Sequence, residues 1–170
     1  YRKIRNTFRY LLSNLYDYDP SSDNVGTDDL KLIDKWILSR LEKVKVSVTQ
    51  AYDSFEFHKA CKGIYDFCNE DLSMYYMDMA KGRLYTARAD SKARRASQTA
   101  MYRVVCDVVK LMAPILPFTA EDIWSFIPKA GAEKNVASVH MLQWPSSEAG
   151  EARLSAKDAG DVAYMDSIMA

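Results

Sequence analysis

The sequence is poor in residues that break or cross-link a chain: its 170 positions include 6 glycines, 5 prolines, 3 cysteines and only 2 histidines. So few breakers leave long uninterrupted segments, and no segment before about residue 136 shows the period-two alternation of a strand. Cys61, Cys68 and Cys106 are odd in number and have neither CxxC spacing nor a neighbouring His. That excludes a disulfide framework and a zinc site and implies a reducing compartment. Each cysteine sits among the apolar positions of a helical pattern and reads as a small buried hydrophobe. No apolar run approaches the roughly 20 residues that cross a bilayer, and Tyr1 to Arg5 lead into an amphipathic stretch without the apolar core of a signal peptide. The chain does not begin with Met and is expected to be a piece of something longer. Also missing are a Gly-rich phosphate loop, a GxSxG turn and any His/Cys cluster: His58 and His140 stand alone. Glu70-Asp71 and Glu121-Asp122 are sequence neighbours, which point to different sides of a helix and form no acid/base pair. No catalytic residue and no metal ligand is therefore expected. Net charge is also absent, with 23 basic against 23 acidic residues, and that average argues against a nucleic-acid partner.

What is present is helical. The chain is 48% hydrophobic, enough to bury a core and exclude disorder. Ile4, Phe8, Leu11, Leu12 and Leu15 recur at helical spacing, predicting a first helix from about Tyr1 to Tyr16 that stops in the loop Asp17 to Asp23 around Pro20. A second helix is expected from Thr27 or Asp28, with its stripe on Leu30, Ile33, Ile37, Leu41, Val44 and Val48. A third runs from near Ser54 or Glu56 to Lys81-Gly82, where Gly82 is read as a left-handed C-cap. A fourth spans Ser91 to Met112, and after Pro114 and Pro117 a short helix opens at Thr119 and ends before Pro128. The expected architecture is all-α: an up-down-up-down four-helix bundle over residues 1–128 with short connections. An extended cover segment follows over 129–145, with Val136 to Trp144 as its loosely alternating part. Residues 146–170 read as a linker and the truncated start of a helix at Val162 to Met169.

The zero net charge conceals segregation. Arg2, Lys3, Arg5 and Arg9 precede the first acid, Asp17. At 100° per residue Arg5, Arg9 and Arg2 fall at about 140°, 180° and 200°, with Ser13 and Asn6 at about 220° and 240°, opposite the apolar stripe. A second block, Lys81, Arg83, Arg88, Lys92, Arg94, Arg95 and Arg103, is offset by Asp90 alone, a local charge of +6. Acids concentrate in Asp17 to Asp34 and Glu121 to Asp166, so a basic and an acidic surface are expected. A solvated helix face normally mixes signs. One built from Arg alone suits phosphates, to which the planar guanidinium offers a fork of donors. Tyr10, Tyr75, Tyr76 and Tyr85, interleaved with these charges, are candidates for stacking on unpaired bases.

Several blocks together carry a family resemblance. The opening YRKIRNTFRYLLSNLYDYDP (residues 1–20) strongly resembles the first helix of the anticodon-binding domain of bacterial-type isoleucyl-tRNA synthetases, class I enzymes. Asp34 to Leu41, Phe67 to Ser73, Arg83 to Tyr85 and Gln98 to Tyr102 follow in the family's order. Met112 to Trp124 is similar to the region that closes this bundle across the synthetases for branched amino acids, and Ser138 to Met141 with Trp144-Pro145 fits the segment after it. The later blocks are shared with valyl and leucyl relatives, while the first favours isoleucine. Gly82 departs from the pattern, which has an acid there, and the Ala/Gly-rich tail does not align. The resemblance implies a cytoplasmic, monomeric fragment that grips the anticodon stem and loop of isoleucine tRNA through Arg2, Arg5, Asn6 and Arg9. Lys81, Arg83, Arg94 and Arg95 would serve as a second RNA-binding group. It further implies a catalytic domain elsewhere that activates isoleucine, with ATP and zinc belonging to other domains. The alternative is a helical module that docks on another protein domain.

Overall fold

A computed structural model describes residues 1–146 and 156–169. Seven α-helices are present among them: α1 (Arg2–Ser13), α2 (Leu32–Asp53), α3 (Phe57–Asp66), α4 (Met77–Thr86), α5 (Lys92–Met112), α6 (Pro117–Phe126) and α7 (Ala156–Met169). A π-helical stretch, Phe67–Tyr76, joins α3 to α4 without interruption, so the predicted third helix is one long rod. The Cys68 carbonyl inside it accepts hydrogen bonds from the hydroxyls of Ser73 at 2.7 Å and Thr7 at 3.4 Å. The wide π turn thus sits where α1 packs.

The helices alternate in direction as expected. Lys3 donates to Asn69 and Thr7 meets Ser73, so α1 runs parallel to the rod; Asn14 and Asp17 meet Gln98 and Arg94, so it is antiparallel to α5. Lys45 reaches Asp107 and the Tyr52 hydroxyl donates to the Leu111 carbonyl, setting α2 parallel to α5, while Asp34 and Arg40 meet Arg83 and Asp71 of the rod running the other way. The arrangement around the bundle is less simple. Both α1 and α2 pack on the rod and on α5, which puts them on opposite corners. Their connection, residues 14–31, is accordingly long and crosses one end of the bundle, pinned by the buried Tyr18 and Leu30.

Phe8, Leu11, Leu15, Trp36, Ile37, Phe67, Leu72, Tyr76, Met101 and Trp124 are sealed in one core, each large side chain contributing about 1.5–3 kcal/mol by burial. The Ser91 hydroxyl caps α5, at the predicted start of the fourth helix, by accepting from the Arg94 amide. Several boundaries differ from the sequence reading. α2 starts at Leu32, with Lys31 as N-cap and the Asp34 carboxylate accepting from the Lys31 amide; Thr27–Asp29 forms only a 3-10 turn. α6 opens with Pro117 at its first position rather than at Thr119, using a residue that needs no amide partner. Gly82 is no C-cap: it lies inside α4, which continues to Thr86. Cys61 is exposed, whereas Cys68 and Cys106 are buried as expected.

The segment expected to be extended holds 3-10 turns at Gly131–Asn135 and Val139–Met141, with no strand among the described residues. Side chains replace a strand partner there. The Glu121 carboxylate accepts from the Ser138 hydroxyl and the Val139 amide, and Ser138 in turn accepts from the His140 amide. The scrap expected at Val162 to Met169 is a full helix, α7, docked on α2 by Lys35–Asp158 and Lys43–Asp166 ion pairs and by a Trp36 indole bond to Asp166 of 2.8 Å. The linker expected between Pro145 and α7 falls mostly outside the described residues.

Candidate nucleic-acid interface

The second basic block is not an open surface. Six of its seven cations face aspartates, most of them brought over by the 14–31 crossing and the start of α2. Arg83 grips Asp34 with both guanidinium nitrogens, at 2.6 and 2.9 Å. Arg94 grips Asp17 the same way, at 2.5 and 3.0 Å, and Arg95 donates to the Asp17 carbonyl and the Gln98 side chain and lies 3.3 Å from Asp23. These three arginines are committed to the scaffold. Burial alone would lower the Arg83 pKa, but hydrogen bonds and charge from Asp34 raise it. Burial would raise Asp17, yet bonds from Arg94 and Gln98 and the two arginine charges hold it below the ordinary carboxylate range. Lys81 pairs with Asp78, Arg88 with Asp90 and Lys92 with Asp29, all on the surface, where such pairs are weak and exchangeable. Only Arg103 has no ion pair among the described residues. The expected separation into basic and acidic surfaces therefore fails at this end of the bundle, and Arg83, Arg94 and Arg95 are not available as free phosphate ligands.

The α1 face is different. Arg2, Lys3, Arg5, Asn6 and Arg9 are all exposed. Lys3 spends its ammonium on the Asn69 side chain; Arg2, Arg5 and Arg9 meet no carboxylate among the described residues. Arg2 and Arg5 also stand at the wrong end of the helix. The first turn of α1 holds no acid and its N-cap makes no side-chain hydrogen bond, so cations face the positive end of the helix dipole, each at a cost of about 0.3–1 kcal/mol. The first turn of α1 is thus built against the helix dipole, with its arginines left uncompensated.

Of the tyrosines proposed for stacking, Tyr76 is fully buried, with its hydroxyl donating to Asp34 at 2.9 Å, and Tyr75 is half-buried, edge-on to Trp36. Tyr10 is half-buried, and burial together with the nearby Tyr85 pushes its pKa upward. Tyr85 remains 63% exposed. The sequence reading missed Tyr16, which lies 79% exposed in the turn just past the end of α1. Among the described residues no group of His, Cys, Asp or Glu side chains is placed to hold a metal ion, and no helix is long and apolar enough to cross a membrane.

The profile of the family described as the anticodon-binding domain of tRNA ligase matches residues 34–170. The chain belongs to that family. It is 47% identical over 145 residues to the isoleucine-tRNA ligase of Natranaerobius thermophilus, covering 85% of this chain and 15% of the relative. To the enzyme of Syntrophotalea carbinolica it is 45% identical over 150 residues, covering 86% and 16%. The Geobacillus kaustophilus enzyme is 45% identical over 159 residues, covering 92% and 17%. The chain thus spans about a sixth of the length of these relatives.

In this anticodon-binding domain the blocks that carried the resemblance are mostly scaffold. Asp34, Trp36 and Ile37 of α2, Cys68, Asp71 and Leu72 of the π stretch, and Gln98, Thr99 and Met101 of α5 are all buried. Gln98 donates to the Asn14 carbonyl and the Asp17 carboxylate, both at 2.8 Å, and so fixes how α1 leaves the bundle. Their role is to present the α1 face.

Proposed function

We propose that this domain binds the anticodon stem and loop of isoleucine tRNA, with phosphates held by Arg2, Arg5 and Arg9 and with Asn6 beside them. It would act as a monomer within a longer cytoplasmic isoleucine-tRNA ligase. The observation that carries the reading is the uncompensated arginine face of α1, while Arg40, Arg83, Arg88, Arg94 and Arg95 are all paired. A catalytic domain in the longer protein would activate isoleucine with ATP, and zinc, like ATP, would belong to domains other than this one. The names of the relatives favour isoleucine over valine or leucine as the cognate amino acid.

Fluorescence anisotropy with isoleucine tRNA at two salt concentrations tests the reading. Arg5→Glu with Arg9→Glu is expected to weaken binding by about 2–4 kcal/mol and to lower the salt slope by about 0.7–0.9 per lost phosphate contact. An unchanged affinity would return the α1 face to the role of a solvated surface. A second reading, docking on another domain of the same protein, is favoured by Phe118 and Phe126 of α6, which are 90% and 68% exposed. Pull-down of a separately produced catalytic domain without RNA, lost in Phe118→Ser, would support it.

A further inference from the structure

We propose that the cleft between Tyr16 and Tyr85, at the C-terminal end of α1, is a stacking site for one unpaired nucleobase of the bound RNA; this rests on the RNA-binding function proposed above. The cleft measures about 370 Å³ and is lined by Ser13, Asn14, Tyr16, Leu84, Tyr85 and Arg94, together with small alanine side chains. That volume admits a flat heterocycle and is in the range of small-molecule sites.

Its chemistry selects against a phosphate. Its one cation, Arg94, is held by both oxygens of Asp17. What remains is neutral and aromatic. The Arg94 guanidinium carbon lies 5.8 Å from the centre of the Tyr16 ring, so one side of that ring is braced by a cation that is itself immobilised. Tyr16 and Tyr85 are 79% and 63% exposed, and their rings supply the sequence-tolerant stacking surface that unpaired bases use. One polar group is placed to orient the base. Asn14 donates its side-chain amide to the Tyr10 carbonyl at 2.9 Å, which leaves its side-chain oxygen as an acceptor for an N–H on a base edge. Position completes the case: Ser13 and Asn14, at the end of α1, line the cleft, and Arg5 to Ser13 spans about 12 Å of helix, so a strand whose phosphates follow the α1 face arrives near this cleft.

The test uses the 170-residue chain and an isoleucine-tRNA anticodon stem-loop carrying 2-aminopurine at each loop position in turn. Wild type is expected to change the fluorescence strongly at a single loop position. Tyr16→Ala and Tyr85→Ala should each abolish that change and weaken binding roughly 5- to 150-fold while leaving the salt slope intact, and the Phe variants should restore both. Both tyrosines are exposed, so the Ala variants should melt like wild type. Salt-dependent binding that is sensitive to Arg5→Glu but gives no position-specific signal, or no effect of the Ala variants, would overturn the stacking site and leave the RNA-binding function standing. If wild type fails to bind the stem-loop at low salt, both fall together.

Discussion

Asp34 is sealed from solvent, and its two oxygens accept from both Arg83 nitrogens, from the Tyr76 hydroxyl and from the Lys31 amide. Removing one partner of such a pair strands the other charge, so Asp34→Ala is expected to destabilise the domain by about 3–5 kcal/mol, measured by urea unfolding. Asp17 makes a pH prediction. Its pKa is lowered in the folded state, so its contribution is present above the unfolded carboxylate pKa near 3.8 and is lost as pH falls through the lower folded value. Acid titration followed by tryptophan and tyrosine fluorescence should show the 14–31 crossing loosening below about pH 3.8. Asp17→Asn should be less stable at neutral pH and flatter in that window. These residues also mark what the sequence could not disclose. The Arg-rich character of α1 and of the 81–103 block was legible, but whether an arginine is free depends on partners far away along the chain, such as Asp17 for Arg94 or Asp34 for Arg83. Local charge counting has no access to pairs that only the fold creates.

At the scale of elements, periodicity located every helix of the bundle, because stripes such as Ile4, Phe8 and Leu11 are buried as their spacing demands. Ends were harder to read. The rod ignores Gly82, which packing overrides, and at the α2/α3 turn the left-handed position is taken by Phe55 (φ 57°) where glycine is the usual occupant. Gly82 lies in α4 with open space where a Cβ would project. Gly82→Ala should therefore stabilise the domain by about 0.5–1 kcal/mol, seen as a rise of about 1–4 °C in Tm. The 3-10 turns after α6 were unreadable for a different reason: they depend on Glu121, a helix residue, serving as acceptor for a loop 17 and 18 residues further along.

At the scale of the molecule, the alternating helix directions were legible and the corner arrangement was not, since nothing in the stripes says which neighbours a helix takes. The diagonal placement of α1 and α2 has a consequence for how the domain is made. Every bundle partner of α1 lies far down the chain: Asn69 and Ser73 for its first turns, Gln98 and Arg94 for its exit. Within the domain α1 therefore meets its first bundle partner only when the rod has been synthesised and its second only with α5. Docking the arginine-bearing helix closes loops of 66 to 84 residues, contacts of high sequence separation that slow folding.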